Sequence, residues 1–199
     1  SIRSGDVQWM TAGGGIMHEE MPQPAEGEMI GFQLWVNLPA KLKMTTPRYQ
    51  NIPSDQIPEI KRKDGVKIRV IAGIVNGVHG SVSDIFADPT YLDVSIPAAG
   101  SFSHPVGKGH TAFAYVFEGE GEFGEDDKNH DMASSPRLIV YGDGDHVMVK
   151  AHKNAVRFLL ISGNPLNEPI ARHGPFVMNT QEEIQQALDD LRNGTFVKS

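Results

Sequence analysis

Short apolar runs end in Gly, Pro or Asp at intervals of roughly ten residues, a spacing that leaves little room for long helices and favours many short strands. Thr111 to Glu118 carries Phe113, Tyr115 and Phe117 and runs into Glu118-Gly119-Glu120-Gly121-Glu122-Phe123-Gly124. The first stretch reads as a strand and the second as a glycine-marked hairpin. Val66 to Ala72, Tyr91 to Ile96, Arg137 to Tyr141, Asp145 to Lys150 and Val156 to Gly163 read as further strands, with Pro97-Ala98-Ala99-Gly100 as a turn. With 21 Gly and 13 Pro in 199 residues, the composition fits an all-β sandwich or barrel rather than a helical bundle.

The two ends of the chain add to this pattern. Val7 to Met10 and Ile16 to Met21 read as short strands around Gly13-Gly14-Gly15, and Phe32 to Leu38 alternates apolar and polar residues like a half-buried strand. Pro39, Pro47, Pro53 and Pro58 exclude a central strand or a long helix from residues 39–64, which read as an irregular linker between two halves. The tail differs. Thr180 with Glu183 fits a capping box, Ile184, Ala187, Leu188 and Leu191 form one apolar stripe, and Gly194 suits a C-terminal cap. The expected helix lies on a sheet and buries that stripe.

Charge and composition narrow the function. The formal net charge is −7, and no Lys/Arg cluster stands out, so direct nucleic-acid binding is not expected. Lys61-Arg62-Lys63 reads as a solvated loop. No run approaches the ~18 apolar residues of a membrane span. The chain has no cysteine. That allows a reducing compartment, with cytoplasm expected and the nucleus open in a eukaryote, and it leaves any metal to His, Asp or Glu. The chain begins without an initiator Met. It is expected to be the ordered part of a longer protein, or a processed fragment, or a chain completed by strands of another.

His18 and Glu20 stand two apart, just after the glycine turn and just before Pro22. On a strand both would point to one face and aim an imidazole nitrogen and a carboxylate oxygen at one point. Those atoms suit iron, zinc, manganese or copper. Without further ligands, two surface side chains would look the same. Glu19 should face the other way. The glycine triplet lacks the Lys-Ser/Thr of a phosphate cradle and reads as a tight turn. Trp9, Met10, Met17 and Met21 suit either an aromatic pocket or apolar core. His104, His110, His146, His152 and His173 offer no second ligand pair. The acidic run Glu118 to Asp127 lacks EF-hand spacing and reads as solvated.

Gly5 to Pro22, Gln33-Leu34-Trp35-Val36-Asn37-Leu38 and His173-Gly174-Pro175-Phe176-Val177-Met178-Asn179-Thr180 together resemble the pirin family of bicupin proteins. The resemblance covers nearly the whole chain. It implies two stacked cupin-type β-barrels, the first incomplete here, with a C-terminal α-helix. Residues 1–38 would then be the end of the first barrel, 39–64 the linker, 65–178 the second barrel and 179–199 the helix and tail. It implies a mononuclear transition metal, iron first, with zinc, manganese, copper or nickel as alternatives. His18 and Glu20 would be two of its ligands, and two further histidines are expected upstream of Ser1. Gly14 departs from the family, where arginine is common.

The resemblance also implies an oxygenase of the quercetin 2,3-dioxygenase type acting on a flavonol-like aromatic molecule. Glu20 would serve as both ligand and proton acceptor. The alternative is a metal-dependent, redox-sensing protein that binds a transcription regulator, as a coregulator, or a metabolic enzyme.

Overall fold

The computed structural model describes residues 2–21, 29–125 and 129–197. They fall into two compact units: Ser1–Trp9 with Gln50–Pro165, and Met10–Tyr49 with Leu166–Ser199. The chain opens with β1 (Val7–Thr11), which pairs with β2 (Arg48–Ile52) in a two-stranded sheet. The proline-rich stretch 39–64 contains β2, β3 (Glu59–Lys61) and single 3-10 turns at Ala40–Leu42 and Ser54–Gln56. Each of those turns begins directly after a proline, whose fixed φ suits the first position of a turn.

The first unit is built on one antiparallel sheet. Its strands are β3, β4 (Lys67–Ala72), β7 (Thr90–Ile96), β8 (Ser101–Pro105), β9 (Thr111–Glu125), β10 (Asn129–Ser134), β11 (Arg137–Val140), β12 (His146–Lys150) and β13 (Val156–Gly163). The short β5 (Ile74–Val75) and β6 (Val78–His79) make a separate hairpin. The strand order is β3-β4-β7-β13-β9-β12-β8, with β10 and β11 also paired to β9.

The first part of β9 pairs with β13 and β11, and its second part with β10 and β12. One strand therefore serves two halves of a sheet that curls into a half-barrel of the cupin kind. The expected hairpin at Glu118–Gly124 is a correction: β9 continues without a turn through those glycines to Glu125. Gly119 has φ +71°, and a Cβ there would lie 1.9 Å from the Ala155 carbonyl oxygen. The register against β13 also shifts between Arg157 and Phe158. The glycines thus mark close backbone approach next to a bulge, not a turn.

Alternation along each strand fills the concave face. Leu92, Val94 and Ile96 of β7, Ala112, Ala114 and Val116 of β9, and Val156, Phe158 and Leu160 of β13 share one buried cluster. Phe158 meets Phe102 and Phe123 edge-on, with ring centroids 5.9 and 5.3 Å apart. On β7 and β13 the intervening residues include Asp93 and Arg157. Asp93 is buried, and Arg157 donates to its two oxygens at 2.9 and 2.8 Å. Arg69 of β4 adds a second cation 3.7 Å away. The Asp93 charge is taken from water only because this fork satisfies it. A second apolar cluster holds Ile52, Ile57, Ile71, Ala72 and Val82, with Val7 and Trp9 packed against it.

The second unit contains β14 (Ala171–His173), β15 (Phe176–Met178) and α1 (Gln181–Arg192). The helix starts where the capping box requires: Thr180 accepts from the Glu183 N–H, and Glu183 accepts from the Thr180 N–H. Ile184 and Ala187 are buried and α1 packs against the β14–β15 hairpin, but the expected stripe is covered only in part: Leu188 is half-buried and Leu191 is 48% exposed.

Three expectations need correction. Ile16–Met21 and Phe32–Leu38 are not strands. Alternation decides which face a side chain takes, but a strand needs a neighbour for its backbone groups, and no ladder forms there among the described residues. Of the two barrels expected, only the curled half-barrel is found among the described residues. The end of the acidic run, Asp126 and Asp127, and the last two residues of the tail lie outside them.

His104 is 5% exposed and stacks on Phe102 with centroids 6.2 Å apart. Burial first, then the charge of His146, holds its pKa below the ordinary value. The folded protein keeps it neutral where the unfolded chain protonates it, so acid favours unfolding below about pH 6.5. Denaturant titrations should show stability falling from pH 7 to pH 5, and His104→Phe should flatten that slope. Phe158→Ala should lower the unfolding free energy by about 3–5 kcal/mol in the same assay, because a ring is removed from a closed cluster.

Candidate functional site

The segment that carries His18 and Glu20 leaves a turn held within the second unit. Gly13 has φ +50°, and a Cβ there would lie 2.1 Å from the Thr45 carbonyl oxygen. That oxygen accepts from the Gly14 N–H at 2.8 Å, and the Gly15 N–H closes onto the Ala12 carbonyl at 2.9 Å. Phe196 lies against Gly15 and meets Phe176 edge-on, with centroids 5.1 Å apart. The position of Gly14 has no such demand: a side chain there would meet only ordinary contacts.

Beyond this turn, His18 Nε2 stands 3.8 Å from Glu20 Oε1. The side chains are 45% and 64% exposed. The two-residue spacing therefore brings the groups together without a ladder. Two metal–ligand bonds of about 2.1 Å reach across at most about 4.2 Å, so one ion can bond both atoms. An imidazole nitrogen with a carboxylate oxygen suits iron, zinc, manganese, copper or nickel. Among the described residues no group of three or more His, Cys, Asp or Glu side chains forms a metal cage. The four-ligand set that the resemblance implies would need two groups beyond this pair. Gln33 Nε2 donates to Glu20 Oε1 at 3.4 Å.

Elsewhere in the second unit, polar contacts are made by side chains that no sequence pattern marks. Lys43 is 6% exposed, and its ammonium donates to Asn37 Oδ1 at 2.7 Å. Burial pulls its pKa down, while the carboxylates of Glu168 and Glu183 oppose that shift. Glu168 also accepts from the Ala40 N–H at 2.7 Å. Arg172 places its guanidinium 5.2 Å from the centre of the Trp35 ring. Lysine in a proline-rich stretch ordinarily means solvent, and no periodicity distinguishes this one.

Trp9 is half-buried against the second apolar cluster and Met10 is half-buried, whereas Met17 and Met21 are exposed. The remaining histidines are dispersed. His146 pairs with Asp145 and His152 with Glu122, both at 2.8 Å, and His173 is exposed at the end of β14. His110 buries an Nδ1 without a partner among the described residues. Of the acidic run, Glu118 binds Arg157 at 3.1 Å and Glu120 accepts from Asn154 at 2.8 Å.

Comparison with known proteins agrees along the whole chain. Residues 91–197 match the Pirin C-terminal cupin domain, and residues 1–36 match Pirin. A pirin-like protein of Caulobacter vibrioides is 44% identical over 196 residues, covering 98% of this chain and 69% of that one. Human pirin is 45% identical over 198 residues, covering 96% and 65%. The crystal structure of a quercetin 2,3-dioxygenase from Acinetobacter baumannii superposes with a TM-score of 0.82 at 34% identity, covering 98% of this chain and 68% of that one. The chain thus spans about two thirds of the length of these relatives.

Proposed function

Because the chain belongs to the pirin family of cupin proteins, we propose that it is part of a metal-dependent oxygenase of the quercetin 2,3-dioxygenase type. His18 and Glu20 supply two of the metal's ligands. The observation that carries this reading is the 3.8 Å approach of His18 Nε2 to Glu20 Oε1 on an exposed surface. The likeness to a quercetin 2,3-dioxygenase over 98% of the chain supports the reaction class. Two further histidines would complete the four-ligand set that the family implies, with iron the first choice of metal.

A bound ion of this kind lowers the pKa of a substrate hydroxyl and orients it. This chain's own residues do the rest. The His18 imidazole offers a nitrogen lone pair. Glu20 has two oxygens, so one can face the ion while the carboxylate accepts the proton of a flavonol-like hydroxyl. Its exposure lets that proton pass on to water. Phe32 and Trp35 present exposed rings in the same unit. Planar aromatic substrates stack on such faces.

The test uses full-length protein. Elemental analysis should find close to one transition-metal ion per chain, as a mononuclear site requires. Glu20→Ala should lose both that metal and flavonol consumption; unchanged turnover would reject the role given to Glu20. Bound metal with no flavonol consumption would favour the reading as a redox-sensing protein that binds a regulatory partner.

A further inference from the structure

We infer that Gln33 is a positioning residue for the Glu20 carboxylate, an inference that rests on the reading of Glu20 as a metal ligand. Gln33 Nε2 reaches Glu20 Oε1, the same oxygen that faces His18 Nε2. A carboxylate oxygen has two lone pairs, so the amide can hold one while the other stays directed toward an ion. At 3.4 Å the bond is long. Contacts of this kind are often loose before a site is loaded and tighten afterwards. Hydrogen bonds to ligating side chains fix their orientation, and losing one typically weakens metal binding by ~10–100-fold.

A glutamine on a free loop would hold a carboxylate poorly, because ordering both side chains costs entropy. Gln33 does not sit on a free loop. Gln33, Trp35 and Asn37 recur at every second position, and each meets a different partner. Asn37 accepts from buried Lys43, an ammonium that burial makes costly to leave unpaired. Trp35 lies under the Arg172 guanidinium. Two anchored residues therefore stand behind the one that reaches Glu20. This explains why an exposed, irregular stretch of backbone can present an amide at a defined place. It also gives the alternation of Phe32–Leu38 a role that does not need a strand.

The experiment measures Mn2+ affinity by calorimetry on the full-length protein as wild type, Gln33→Met, Glu20→Ala, Glu20→Asp and the Glu20→Asp/Gln33→Met double variant. Methionine keeps the length of glutamine and removes the donor. Gln33→Met should weaken Mn2+ binding about tenfold. It should leave the melting temperature of the metal-free protein unchanged, since Gln33 is exposed. Added to Glu20→Asp, which keeps a carboxylate but draws it one methylene back from the amide, it should weaken binding no further, because two residues acting through one contact are not additive. Unchanged affinity in Gln33→Met, a lowered melting temperature, or a full additive loss in the double variant would overturn the inference and leave the ligand reading standing. Unchanged affinity in Glu20→Ala would overturn both.

Discussion

Fifteen residues of β9 hydrogen-bond to four other strands, and the curled sheet exists because one strand serves both of its halves. A strand that changes partners must bend without leaving backbone groups unpaired. Here the bend falls where Gly119 removes a Cβ and the facing strand slips in register. The concave face is then closed by Phe102, Phe123 and Phe158, whose edge-on contacts leave the interior apolar. His104 enters that interior only as a neutral ring.

The candidate pair lies in the other unit, on backbone with no ladder among the described residues. Order there comes from single directed contacts. The Thr45 carbonyl holds the Gly14 N–H, Lys43 holds Asn37, and Arg172 covers Trp35. The two buried charges among the described residues, Lys43 and Asp93, show one rule in two settings. Each is removed from water and each has a close partner, because an unpaired buried charge would cost several kcal/mol.

Much of the fold was legible before any coordinates. The strands at Val66–Ala72, Tyr91–Ile96 and Val156–Gly163 matched β4, β7 and β13 closely, because each is a short apolar run, mostly buried, bounded by turn residues. The capping box and stripe of α1 were local signals, satisfied within a few residues. The site was half legible. A two-residue spacing puts His18 and Glu20 within reach of one another in any extended backbone. Lys43, Gln33 and Arg172 were not legible, since their partners come from elsewhere in the chain.

The sequence by itself determined that this chain is a turn-rich β protein with a capped terminal helix, no thiolate chemistry and one His/Glu pair behind a glycine turn. Those properties follow from composition and from contacts between near neighbours. Only the tertiary structure decided that Glu118–Gly124 continues a strand, that Phe32–Leu38 does not form one, and that Lys43 is buried. Each of these depends on which distant backbone or side chain stands alongside, and a periodicity read along one segment carries no record of its neighbour.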